Sequence, residues 1–203
     1  GHVFLPRVLF LYGGYRGGPV EWFSRAAAPA IRGADGDGRR GIAGQPGKDL
    51  DANHDRQRPH GFRGGRGDLY DYLCKQKIEV SYTGVDLVEG TVNLAQEKYP
   101  RARFLKRDLF SQPLEEKFDY VFLNAVFNNN LGSSPNENDD YMQTLLKIAF
   151  QYCKRGMAFN FISRYVNFED KEMAYHDPAQ VLCFCIEELS TRVNLMHHYG
   201  RCD

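Results

Sequence analysis

Asp86, Asp108 and Asn124 are short polar side chains, and each closes a stretch that reads as a β-strand. In an open parallel sheet a ligand lies outside the carboxyl ends of the strands. Three polar residues closing three successive strands therefore form a candidate ligand edge. Upstream stand Gly65-Arg66-Gly67-Asp68 and a helical stretch, Leu69 to Cys74. Glycines let the backbone approach a ligand closely, and a helix amino terminus offers free N–H groups. Asp86 follows Gly67 by about the 20 residues expected between a glycine loop and an acid that holds a ribose. A carboxylate accepting ribose hydroxyls makes charge-assisted hydrogen bonds, each worth about 1.5–3 kcal/mol. Asp108 has a second reading as the cap of the next turn. Asn124 has one as a group that satisfies backbone at a strand end.

The elements that must carry these residues alternate between two periods. Glu79–Val85, Arg103–Lys106 and Phe118–Leu123 read as strands, the last almost wholly apolar, as in a sheet covered on both faces. Val88–Lys98 and Asp139–Lys154 read as helices, the second with Gly156 as a stop. Met157–Ile162 reads as a buried strand, and Thr191–Tyr199 as a final one. Asp177-Pro178 opens a helix that runs to Leu189, with Asp as the cap and Pro in the first turn. Strands alternating with helices predict an α/β fold, a doubly wound and mostly parallel sheet in three αβα layers.

The chain divides near residue 64. Of its 20 glycines, 15 fall within residues 1–67, and apolar periodicity is nearly lacking from Arg25 to Arg66. Such a segment buries too little surface to offset its chain entropy. Its Gly, Ala, Arg and Pro are what GC-rich DNA spells when read out of frame, and that reading is favoured over an Arg-Gly nucleic-acid-binding arm at Arg63–Gly67. Residues 1–64 are thus expected to be poorly specified and 65–203 to form the core. The missing initial Met suggests a fragment or a tag remnant. His2–Tyr12 is apolar but too short for a membrane span, and no cleavage site for a signal peptide follows it. Formal net charge is zero, which disfavours nucleic acid or anionic lipid as partner. The five cysteines, Cys74, Cys153, Cys183, Cys185 and Cys202, lack paired metal-ligand spacing and read as thiols of a reducing cytoplasm. Cys183 and Cys185 read as packing.

The set of motifs resembles class I S-adenosylmethionine (SAM)-dependent methyltransferases, over about two thirds of the chain. Gly65-Arg-Gly-Asp-Leu-Tyr-Asp-Tyr-Leu73 resembles the end of the family's glycine-rich first motif, and Tyr82-Thr-Gly-Val-Asp86-Leu87 its second. Arg107-Asp108-Leu109 resembles the loop whose acid meets the adenine amino group and whose apolar neighbour covers the ring. Phe118 to Phe127 resembles the fourth strand and the turn beside the methionine part of SAM, with Asn124 at its end. Val20–Arg25 resembles an amino-terminal segment of some such enzymes. The resemblance implies SAM as cofactor, a Rossmann-like fold, and methyl transfer to an acceptor, with a small molecule as the default partner.

The chain departs from the family at two places. The family's first strand ends in an acid and a glycine, where Gly61 and Arg63 stand here, so the central first strand is expected to be degenerate. The closing hairpin is expected to lack its last strand. Tyr165, Tyr175 and His176 fall where the family builds its acceptor pocket. His176 is a candidate general base, with a helix-entry or surface histidine as the favoured reading. Asn128-Asn-Asn130 and Gly132–Glu137 read as a solvated loop. His197-His198 does not read as a metal pair, since neighbours on a strand face opposite ways. The rival reading is an NAD-dependent oxidoreductase, which Asp86 alone would suit. The full G-x-G-x-x-G pattern is lacking, and Asp68 would repel a pyrophosphate, whereas SAM carries no phosphate. The other alternative is a catalytically impaired member of the fold, or an RGG-type nucleic-acid binder.

Overall fold

The computed structural model describes residues 6–12, 67–130 and 132–197. Five parallel strands form its main sheet: β1 (Arg7–Tyr12), β2 (Ser81–Asp86), β3 (Arg103–Lys106), β4 (Phe118–Asn124) and β5 (Cys153–Phe159). Their spatial order is β3-β2-β1-β4-β5. The helices are α1 (Asp68–Lys75), α2 (Glu89–Lys98), α3 (Pro135–Gln151) and α4 (Pro178–Phe184), the last continuing as a wider turn through Leu189. This is the doubly wound α/β arrangement that the alternating periods predict.

The sheet corrects the expectation of a degenerate first strand. Arg7-Val-Leu-Phe-Leu-Tyr12 occupies the central position, with Val8 opposite Tyr82 on one side and Tyr120 on the other. A five-residue apolar run suits a strand covered on both faces. Val8 and Phe10 face Leu69 and Leu73 of α1, together with Tyr82, Tyr120 and Phe122. Leu9 and Leu11 face the other way, into a core with Val121, Leu123 and Met142, Leu145 and Leu146 of α3. The alternation of β1 thus feeds both layers of the core at once. Its first residue is anchored as well. The Arg7 backbone N–H donates to Asp119 Oδ2 at 2.9 Å, and Glu116 bridges the guanidinium groups of Arg7 and Arg103. The suspected frame slip and the Arg63-Gly-Gly-Arg-Gly element, up to Arg66, lie outside the described residues.

Four other expectations change. Gly156 lies within β5 rather than stopping α3; the helix ends at Gln151, and Cys153 already pairs with Phe118. A Cβ on Gly156 would lie 3.4 Å from the Tyr120 ring, so its smallness serves packing across the sheet. Helix α3 starts four residues before Asp139. Ser134 accepts from the Glu137 N–H while the Glu137 carboxylate accepts from the Ser134 N–H, a capping box with Pro135 in the first turn. The Gly132–Glu137 segment, expected as a loop, thus contains the helix start. The strand expected over Met157–Ile162 is shifted: β5 ends at Phe159, and Ile162-Ser163 forms a separate short parallel pair with Tyr175-His176. No strand forms over Thr191–His197, where Val193 and Met196 are exposed and unable to bury a sheet face. His198 and Tyr199 lie outside the described residues.

Candidate functional site

The carboxyl ends of the strands bring Asp86, Asp108 and Asn124 to one edge of the sheet. Pairing fixes this edge: Tyr12 is opposite Asn124, Asp86 opposite Lys106, and Leu123 opposite Phe159. The chain leaves β1 for β2 on one side while β4 lies on the other, so the crevice where ligands bind such sheets opens at the ends of β1 and β4.

Asp86 is 5% exposed. Its Oδ1 accepts the Val88 N–H at 2.8 Å, which opens the turn into α2. Its Oδ2 is buried and has no partner. Burial raises the Asp86 carboxyl above the usual carboxylate range, with the N–H groups of Val88 and Leu87 pulling the other way. A buried acceptor without a partner costs about 1–3 kcal/mol, which a ligand hydroxyl would offset. Leu87, next in the chain, is 60% exposed at the same edge.

Asp108 follows β3. It accepts from the Ser111 hydroxyl at 2.8 Å and the Phe110 N–H at 3.0 Å, in that order the causes that hold its carboxyl below the usual range. Asp108 therefore caps the turn, its second reading, at a position past the end of β3. Leu109 points away, buried in the core with Val85 and Leu114, so it presents no apolar surface at the edge. Phe110 is the exposed ring beside Asp108, stacked on Tyr141 at 5.5 Å between centroids.

Asn124 is 1% exposed. Its Oδ1 accepts from Asn160 Nδ2 at 2.9 Å, and its own Nδ2 is buried without a partner. The next residue, Ala125, has φ +56°, a left-handed turn that costs a non-glycine residue about 1–2 kcal/mol. Asn160, just past β5, was not singled out in the sequence. Nothing local marks it, because its partners lie 35 and 36 positions earlier.

Gly67 sits lower on the sheet. At φ +83° it precedes α1, and a Cβ there would lie 2.7 Å from the Tyr99 ring and 3.2 Å from Phe104. Phe104 pairs with Gly84, two residues short of Asp86, so Gly67 is placed beside an aromatic stack and away from the Asp86–Asn124 edge. Gly65 lies outside the described residues.

The acceptor side differs most from expectation. His176 stands at the entry to α4 but is 1% exposed. Its Nε2 meets the Phe127 carbonyl at 3.1 Å and its Nδ1 the Asp139 carboxylate at 2.6 Å. A carbonyl only accepts, so Nε2 carries a hydrogen and Nδ1 is committed to Asp139. Neither nitrogen is left to act as a base; His176 ties the loop after β4 to α3. Asn128–Asn130 is likewise held, not solvated. The Asn128 carbonyl accepts from Ala174 N at 3.0 Å, Asn129 pairs with Met173, and Asn130 N donates to the Glu172 carbonyl at 2.9 Å. The pairing is made by the backbone, with Asn130 Nδ2 also donating to the Lys171 carbonyl at 3.3 Å. Tyr175 accepts the Asp170 N–H through its hydroxyl, whereas Tyr165 is 67% exposed. His197 Nε2 lies 3.0 Å from Ser163 Oγ. Cys185 packs in the core, and burial pushes its thiol up to about 11, whereas Cys183 is exposed. No described helix is long and apolar enough to cross a membrane.

Residues 64–156 match the family profile of a methyltransferase domain. That stretch therefore has the sequence pattern of a methyltransferase domain. The profile covers β2, β3 and β4, the strands whose ends bear Asp86, Asp108 and Asn124. No curated protein matches the chain. Among solved structures, the apo form of the SAM-dependent methyltransferase SibL is similar at 15% identity, covering 98% of this chain and 48% of that one, with a TM-score of 0.50. That likeness is one of fold. A SAM-dependent methyltransferase from Clostridium acetobutylicum ATCC 824 matches at 21% identity over 56% of this chain and 52% of that one, with a TM-score of 0.38. Coclaurine N-methyltransferase bound to N-methylheliamine and SAH matches at 12% identity over 62% of this chain and 41% of that one, with a TM-score of 0.44. The chain spans about half the length of these structures.

The residues at this edge fit SAM as a ligand. Asp86 offers a buried acceptor with no partner where ribose hydroxyls would donate, and Asn124 offers a buried donor with no partner two strands away.

Proposed function

We propose that this protein transfers a methyl group from SAM to a small-molecule acceptor. The observation that carries the reading is Asp86 Oδ2, a buried acceptor without a partner beside the point where strand order reverses. When bound, the cofactor supplies an electrophilic methyl group on a sulfonium. The protein's part is then alignment of donor and acceptor and exclusion of water. Asp86 would hold the ribose, Asp108 and the exposed faces of Leu87 and Phe110 the adenine, and Asn124 the opposite arm. The loop after β4, tied down by His176, stands where the acceptor would be enclosed. A base would be needed only for an acceptor that must lose a proton, and no described residue is assigned that role.

The residue range 65–203 is proposed as the functional core, with Arg7–Tyr12 lending its central strand. Zero formal net charge favours a small acceptor over nucleic acid, and free thiols among the described residues support a cytoplasmic setting. Calorimetric titration tests the reading. SAM is expected to bind at micromolar concentration and NADH not to bind. Binding of NADH without SAM overturns the assignment. Incubation with SAM carrying a labelled methyl is expected to place the label in the small-molecule fraction of an extract; label in RNA or protein instead would refute the proposed acceptor class.

A further inference from the structure

Two asparagine side chains meet at the ends of β4 and β5, and one backbone N–H orients both. The two ends of a carboxamide have nearly the same shape, so hydrogen bonds decide which end points where. The Ala125 N–H can only donate, and it reaches Asn160 Oδ1 at 2.7 Å. The other end of Asn160 is therefore Nδ2, which donates to Asn124 Oδ1 at 2.9 Å. That leaves Asn124 Nδ2 as the end without a partner, and it is buried. The polarity of one backbone group is thus relayed through two amides and emerges as a hydrogen-bond donor at the carboxyl end of β4.

Position says what the donor meets. Asn124 and Asp86 are separated by β1 alone, so their backbones stand about 10 Å apart, two strand spacings. With the ribose on Asp86, the amino-acid arm of the cofactor would lie across the end of β1, within reach of β4. On that arm the sulfonium and the ammonium cannot accept a hydrogen bond; the carboxylate can.

We infer that Asn160 is a positioning residue that fixes the polarity of Asn124, whose Nδ2 thereby donates to the carboxylate of the methionine part of SAM. This rests on the cofactor reading above. The test compares two ligands by calorimetry: S-adenosylhomocysteine, which has the amino-acid group, and 5′-methylthioadenosine, which lacks it. Asn160→Asp keeps an acceptor for Ala125 N–H but turns a second oxygen toward Asn124, whose amide then rotates and shows the ligand its oxygen. S-Adenosylhomocysteine is expected to bind at least tenfold more weakly, with 5′-methylthioadenosine unchanged. Asn124→Ala, which adds no charge, is expected to show the same selective loss. Asn160→Ala frees the Asn124 amide to rotate and is expected to show a smaller one.

Wild-type affinity for S-adenosylhomocysteine in any of the three variants overturns the inference. So does an equal loss of both ligands, which would mean that the pair only supports the turn at Ala125. If the wild type binds neither ligand, the cofactor reading falls and this inference with it.

Discussion

Asp86 combines two properties that pull against each other. Its burial disfavours the carboxylate, and its position at the ligand edge requires an acceptor. The folded state raises its pKa, so the proton is held more tightly folded than unfolded. Stability from that proton is present below the unfolded value and is lost as pH rises through the folded one. Asp86→Asn is therefore expected to raise the melting temperature at pH 7, by a margin that shrinks as pH falls into the carboxylate range. Thermal unfolding across pH measures this. Asp86→Ala is expected to abolish SAM binding in calorimetry; near-normal affinity would refute the ribose role. Gly67 makes a different demand. An L side chain at φ +83° costs about 1–2 kcal/mol, and the Tyr99 ring must also shift. Gly67→Ala is expected to lower unfolding free energy by at least that amount in a urea titration. Asp86 was legible as a strand-closing acid because the strand end marks it, whereas Gly67, from which its spacing was counted, lies elsewhere. Asn160 was not, because its role exists only through Asn124 and Ala125.

Among the elements, the ends were harder to read than the middles. Strand β3 lies where its apolar spacing placed it, and β2 and β4 end one residue later than expected. Helix α3 began earlier because Ser134-Pro-Asn-Glu137 is polar and looks like a loop until its reciprocal hydrogen bonds are seen. Removing that cap by Ser134→Ala is expected to cost about 1 kcal/mol, read as a shift of the denaturation midpoint with little change in slope. No loss of stability would mean that the helix start is held by packing alone. The asparagine run after β4 misled for a similar reason. Asparagines favour solvent in general, but here their backbone pairs with Glu172–Ala174. The strand expected after Leu189 failed because a period-two pattern states only that a strand could form. It needs a partner edge to bond, and the described Thr191–His197 has none.

For the molecule as a whole, the central strand decides the architecture. Leu9 is fully buried, opposite Thr83 of β2 and Val121 of β4, in the core cluster that includes Met142, Leu145 and Leu146 of α3. Leu9→Ala is expected to cost about 2–5 kcal/mol. Chemical denaturation of the full chain measures it, and a loss well under 1 kcal/mol would show that the amino-terminal segment is dispensable. What the sequence alone determined was most of the local pattern from Asp68 to Leu189: where strands and helices alternate, and which polar residues close the strands. From these came the α/β class and the candidate edge of Asp86, Asp108 and Asn124. Only the tertiary structure decided that Arg7–Tyr12 fills the centre of the sheet, that Gly67 and Leu109 face packing partners, and that Asn160 orients Asn124. Periodicity reports how a segment divides its own faces. Strand pairing and amide polarity are set by hydrogen bonds between residues far apart in the chain, and those partners meet only in the fold.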